Sequence, residues 1–385
     1  MECMRHMRYN YIVVFALLFY FGCKTKVKSI NLTNNLYLKP FDSLVIHLDS
    51  LTYPYSSNIH YKDSILFIQN DETNTISLYK LSGQQIKILD FSKFKGSLKN
   101  FSVNASWFIN LDSIFVYSQN HRIVYLFDSS LKLKDSFLMT QKVDFIEGKQ
   151  NPGPRISSSQ QAVHFNKSLF TTGFTIGENF SIKESDKFVV CESRKDGRSF
   201  YVNYPNDYSL KNLGGIYYRM VYDCVSTDST LCISFPASST IALFNLKNKS
   251  VTYYKTYPEI SDYIQSFKGD ATRKLEKDKI AKHFYGQYSF RGIIFDKYRN
   301  LFFRFLLKPT TEEYLTKMNM GPQAKFLLVY DSKFNYLGYT ELDAEYSDNT
   351  YFVTEKGLYI KRIKKKNDED NLYFDIFDVN RFITK

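Results

Sequence analysis

From about residue 63 onward, short apolar runs alternate with polar turns, and the same unit recurs. A turn, often Asp-Ser, leads into an apolar run; a few polar residues follow, then a second run ending in another turn. One copy is Asp63-Ser64-Ile65-Leu66-Phe67-Ile68 followed by Ile76-Ser77-Leu78-Tyr79-Lys80-Leu81. A second is Asp112-Ser113-Ile114-Phe115-Val116-Tyr117 followed by Ile123-Val124-Tyr125-Leu126-Phe127. Looser copies begin at Asp228, Asn300 and Gly357, and a degenerate one lies around Phe188-Val189-Val190 and Phe200-Tyr201-Val202. Runs this short, bounded by turn formers, read as strands. Six units at intervals of ~40–50 residues are the pattern of propeller blades, each too small to bury both of its faces alone. The spacing therefore predicts an all-β chain, a six-bladed β-propeller of the TolB-like or NHL-like kind over residues 41–385. A pair of β-sandwiches is the rival arrangement. The strand Leu44-Val45-Ile46-His47-Leu48 is expected to close the ring against the last blade.

Two insertions depart from the period of two. Ile260, Tyr263, Ile264 and Phe267 have helical spacing, and the charged run through Lys279 to His283 continues it, so two helices split at Gly269 are expected. Thr310-Thr311-Glu312-Glu313 forms a capping box opening a short helix to about Met320. Such insertions decorate a rim, as a lid or as cover for a sheet edge.

The N-terminus has another pattern. Arg5 and Arg8 precede the unbroken apolar run Tyr11 to Phe21, too short to span a bilayer but suited to the core of a signal peptide. It ends in Gly22-Cys23, then Lys24-Thr25-Lys26. A small residue before a cysteine at this place resembles the lipobox of bacterial lipoproteins, although Tyr20 and Phe21 depart from its usual Leu and small residue. The resemblance implies a signal peptide over 1–22, acylation of Cys23, a tether over 23–40 and anchoring to a membrane of the cell envelope. The basic residues after Cys23 lack the acidic run that resembles a surface-export signal. An outer-membrane lipoprotein facing the periplasm is thus favoured over one facing outward.

Composition adds the reason for the aromatic texture: 31 Tyr and 34 Phe against one Trp favour half-buried pleated surfaces. The formal charge of +12 would suit an acidic partner, but the lysines are scattered through turns and are read as keeping an aromatic protein soluble. No nucleic-acid partner is expected. Of the five cysteines, Cys224 and Cys232 flank a turn centred on Asp228 and would face each other in a hairpin. They form either a disulfide or, as preferred, two small apolar core residues, because directly paired cross-strand disulfides are strained.

With Gly22-Cys23 and the repeated Asp-Ser-Ile and Leu-Phe-Asp-Ser turns in place, the chain resembles a Bacteroidetes family of six-bladed propeller lipoproteins whose domain has no assigned function. The resemblance covers nearly all of the chain after Cys23. It implies a fold and an envelope location, and brings no catalytic residues.

Local chemistry is sparse. The histidines have no HxH or HExxH spacing, and Asp368-Glu369-Asp370 reads as a hairpin loop, so neither a metal nor a cofactor is expected. No Gly-x-Ser-x-Gly elbow and no neighbouring Cys–His pair is present. Three arginines stand out within apolar or aromatic runs: Arg219, Arg291 and Arg304. A guanidinium there must be paired or face a pocket; if the three converge they would bind a carboxylate or an acidic sugar. Snorkelling or structural pairing is the plainer alternative. The Asp-Ser turns at Asp42, Asp49, Asp63, Asp112 and Asp228 also resemble an O-glycosylation acceptor of this bacterial group, though Asp-Ser forms turns in any case. The expected function is non-catalytic binding of a protein or glycan ligand at the envelope. The alternative is a glycan- or peptide-directed hydrolase or lyase with residues drawn from several blades.

Overall fold

In a computed structural model, the chain is described over residues 29–54, 56, 58–94, 101–140, 151–176, 187–208, 210–227, 229–269, 277–311, 315, 323–363 and 370–382. Cys23, the signal peptide and Asp228 lie outside these residues, as does nearly all of the helix expected after Thr310. From Asn31 onward the chain forms one compact unit.

That unit is a six-bladed β-propeller. Its antiparallel sheets follow one another along the chain: blade 1 over residues 59–90, blade 2 over 105–138, blade 3 over 151–203, blade 4 over 222–254, blade 5 over 289–342 and blade 6 over 346–377. Strands are counted outward from the axis. The two apolar runs of each repeat are strands 2 and 3 in blades 1, 2, 4, 5 and 6, such as Ile65–Asn70 and Thr75–Lys80 in blade 1. These middle strands are covered on both faces by neighbouring blades, so they are apolar throughout and easy to read. The outermost strand of blade 1, Gln85–Asp90, is mostly exposed and reads as polar. The degenerate copy in blade 3 is Lys187–Glu192 and Arg198–Asn203, which are strands 3 and 4. It looks irregular because it is one strand out of step.

The ring closes as expected. Pro40–His47 pairs antiparallel with Asn371–Phe377 and becomes the outermost strand of blade 6, with the fully buried Ile46 opposite Leu372. Aromatic clusters fill the gaps between blades. Phe67, Phe91, Phe108 and Phe127 lie between blades 1 and 2, and Tyr79, Phe352, Tyr359 and Phe374 between blades 6 and 1.

Two expectations are corrected, and the preferred reading of the facing cysteines is met. Residues 260–269 hold one 3-10 turn, Ser261–Tyr263, instead of a helix. Ile260, Ile264 and Phe267 are buried as loop anchors, with the Phe267 amide bonded to the Asn212 carbonyl, so their spacing reports packing. The charged run does end in a helix, Lys277–Tyr285. Arg219 is in no strand; it ends the four-residue helix Ile216–Arg219. Cys224 and Cys232 stand directly opposite in register, and both are free, buried thiols.

Candidate functional site

The innermost strand of blade 3 is interrupted. Asn151–Pro154 and Val163–Phe165 both pair with Ser168–Ile176, with Pro154 opposite Gly173 and Val163 opposite Phe170. Between them, residues 155–162 leave the sheet. A Cβ on Gly173 would collide with the Gly153 carbonyl, so glycine is required where the backbone turns out. The excursion makes a tight turn through Ser157 and Gln160, which exchange backbone hydrogen bonds of 2.9 and 3.2 Å. On one side the Ser158 hydroxyl accepts from the Ile59 amide of blade 1 at 2.6 Å. On the other, Gln160 Nε2 donates to the Val221 carbonyl at 2.7 Å, and the Asp223 amide of blade 4 donates to the Ser159 carbonyl at 3.1 Å. A segment tied to blades 1 and 4 at once lies across the axis. It lines a cavity on either side and so separates the two mouths of the propeller.

The first cavity, of 610 Å³, lies where the chain enters the innermost strands and where strands 2 and 3 are joined. Among the described residues its wall includes four cations, Arg155, Arg291, Lys361 and Arg362, and no Asp or Glu. Arg291 is brought there by a β-bulge, since the register of its strand shifts between Phe290 and Ile293. Gly292 in that bulge makes room for the Tyr351 phenol, which a Cβ would strike. The Arg291 guanidinium donates to the Tyr222 hydroxyl, lies 4.8 Å from the Phe284 ring, and has Asp348 Oδ2 at 3.7 Å from Nε. Arg362 is held by Asp375 Oδ2, with Nε at 2.8 Å and Nη2 at 2.7 Å, and the Tyr346 hydroxyl donates to the same oxygen. Lys361 Nζ donates to the Pro54 carbonyl. Arg155 differs from these. It opens onto the cavity, lies 5.1 Å from the Phe174 ring, and has no ion-pair partner among the described residues. Partial desolvation lowers its pKa, but a guanidinium stays charged at any physiological pH. With Asp348 and Asp375 offsetting Arg291 and Arg362, Arg155 leaves an unbalanced positive charge in the wall.

Beneath the crossing segment lies Asp223. The Thr172 hydroxyl donates to its Oδ2, Oδ1 has no hydrogen-bond partner, and the side chain is fully buried. Burial raises its pKa to about 8, so the carboxyl is held as the neutral acid at pH 7.

The three arginines singled out in the sequence do not form one site. Arg291 reaches the cavity. Arg304 is fully buried and spends all of its donors on the fold. Nε bonds Ser234 Oγ at 2.8 Å, Nη1 bonds the Ser239 carbonyl and Thr256 Oγ1, and Nη2 bonds the carbonyls of Phe235 and Ser238. Its guanidinium lies 3.5 Å from the Phe290 ring centroid. Arg219 is buried, with Nη1 donating to the Thr175 carbonyl at 3.1 Å. Sequence reasoning missed Arg155, Lys361 and Arg362. Arg155 follows a proline in a polar stretch that looks like an ordinary loop, so nothing local marked it. Asp223 did carry a signal, a lone carboxylate inside the run Val221-Tyr222-Asp223-Cys224-Val225.

The family profile DUF4221, "Domain of unknown function", matches residues 33–341. The crystal structure of a DUF4221 member from Bacteroides vulgatus superposes with a TM-score of 0.67 at 17% identity, covering 89% of this chain and 97% of that one. Two more distant solved structures are also similar. Virginiamycin B lyase from Staphylococcus aureus has a TM-score of 0.38 at 9% identity, covering 87% of this chain and 99% of that one. The calcium-binding protein regucalcin from Agrobacterium tumefaciens has 0.43 at 12% identity, covering 86% and 92%. No protein of curated function matches the sequence.

Proposed function

Because the chain belongs to the DUF4221 family, whose domain has no established function, we propose a role from the cavity chemistry: an envelope-anchored, non-catalytic binding protein for a carboxylate-bearing ligand such as an acidic glycan. The observation that carries this reading is a wall drawn from blades 2 to 6 and the segment before blade 1 that offers, among the described residues, four cations and no carboxylate. Arg155 supplies the free charge and planar donors suited to a carboxylate. Tyr117, Gln119 and Asn349 add hydrogen-bonding groups for hydroxyls. A cavity of this size with convergent polar groups suits a mono- or disaccharide.

The anchor rests on Cys23 and its lipobox resemblance, and the location at the outer membrane, facing the periplasm, follows from it. Metabolic labelling with a clickable fatty acid should mark the native chain and spare Cys23→Ala. Equal labelling of both would remove the anchor from the account.

Binding is tested by titrating the detergent-solubilised full-length chain with oligogalacturonate and with its neutral methyl ester. The acidic form should bind more tightly, and Arg155→Ala should weaken it roughly tenfold, the loss of one charge-assisted contact. Equal affinity for both forms would overturn the reading. A hydrolase or lyase has one observation in its favour, the protonated Asp223, a state in which a carboxyl can donate a proton. Asp223 lies outside the cavity wall, and no shortened product is expected after prolonged incubation.

A further inference from the structure

We propose that the cavity at the opposite mouth of the propeller is a second, separate binding site, for a small molecule with a flat apolar ring and an anionic substituent. This 520 Å³ cavity is formed where the innermost strands end and turn into strand 2, on the far side of the crossing segment 155–162. Its chemistry is unlike that of the first. Four aromatic side chains of its wall, Tyr61, Trp107, Phe295 and Tyr298, are partly exposed. They come from three blades, so the apolar surface is assembled by the ring and belongs to no single sheet. Tyr61 is fixed by stacking on Phe352 at 4.9 Å, and Trp107 by an edge contact with His60 at 4.3 Å. Rings held this way offer faces to a flat ligand at little cost in side-chain entropy.

The polar groups indicate the rest of the ligand. Lys62 and Lys297 stand on the rim, and neither has an ion-pair partner among the described residues. Asp63 is the one carboxylate of the wall among the described residues, so the cations there outnumber it. At the floor, His60 is 7% exposed and its Nε2 has no hydrogen-bond partner. Burial lowers its pKa to about 3, so the ring stays neutral and adds no charge to the site. A buried polar atom without a partner is costly, and a ligand group passing the Trp107 edge would satisfy it.

Trp107 is the only tryptophan of the chain, so the site carries its own reporter. The probe is 8-anilinonaphthalene-1-sulfonate, an anion with a flat naphthalene ring, titrated into the folded full-length chain. The proposal expects saturable binding of one dye with quenching of Trp107 emission and energy transfer to the dye. Charge reversal at the rim, Lys62→Glu with Lys297→Glu, should weaken binding at least about fivefold and leave the thermal transition in place, because both side chains are surface cations. Tyr61→Ala should weaken it further. Arg155→Ala should leave it unchanged, which separates this site from the anion cavity. Absence of Trp107 quenching at saturating dye would overturn the proposal. So would quenching that is indifferent to the rim charges and to Tyr61, or dye displaced by oligogalacturonate at the affinity of the first site.

Discussion

Arg304 shows what a charge inside an apolar strand costs and how the fold offsets it. Five acceptors and one aromatic face replace the water that a guanidinium loses on burial. Arg304→Met would fill the space but leave those acceptors bare, so a loss of about 3–5 kcal/mol is expected from urea unfolding. A loss under about 1 kcal/mol would show that water takes over the acceptors. Asp223 makes the opposite case, a carboxyl kept neutral. Its pKa rises from 3.8 to about 8 on folding, so the folded state holds a proton that the unfolded state has released between those values. Stability attributable to Asp223 therefore falls as pH rises from about 4 to about 8, and then levels off. Asp223→Asn lacks this penalty. Its stability relative to the native chain should climb from pH 5 to pH 8; a difference that stays flat across that range would contradict the assignment. At this scale the sequence was half legible. An Arg or Asp inside an apolar run marks a burial problem, but the run alone does not tell a guanidinium that faces a cavity, Arg291, from one absorbed by carbonyls, Arg304. The bulge at Arg291 makes that difference, and it is set by the register with the neighbouring strand Leu301–Leu307, which the apolar pattern does not show.

Among elements, the strands that pack on both faces were readable and the others were not. Strands 2 and 3 of each blade are apolar because neighbours cover them. The innermost strands border the axis, and the outermost meet solvent, so their patterns dissolve into the turns. The closing strand Pro40–His47 was the exception, because Leu44, Val45 and Ile46 retain an apolar run at a sheet edge. Ile46 is fully buried against blade 6, so Ile46→Ala should cost about 2–4 kcal/mol and lower the thermal midpoint. A shift within error would mean that the ring does not depend on this closure. The excursion 155–162 left no trace in the pattern. It is a polar stretch whose structure comes from hydrogen bonds to blades 1 and 4, both remote in sequence.

For the whole molecule, the six-fold repeat and ring closure followed from periodicity, and the family match agrees with them. The charge of the chain did not reveal the site. A formal +12 is spread over the chain, and what matters is that the described residues of the first cavity's wall include cations without carboxylates. An anion held there is screened less by salt than one on the surface. Binding of oligogalacturonate should therefore persist, weakened, at ionic strengths that abolish adsorption to scattered lysines.

The most direct test is amide hydrogen exchange of the full-length chain with and without saturating oligogalacturonate. Slowed exchange is expected in residues 153–160 and 361–363, with the opposite mouth unchanged. Protection elsewhere, or none at all, would contradict the assignment of the basic cavity as the ligand site.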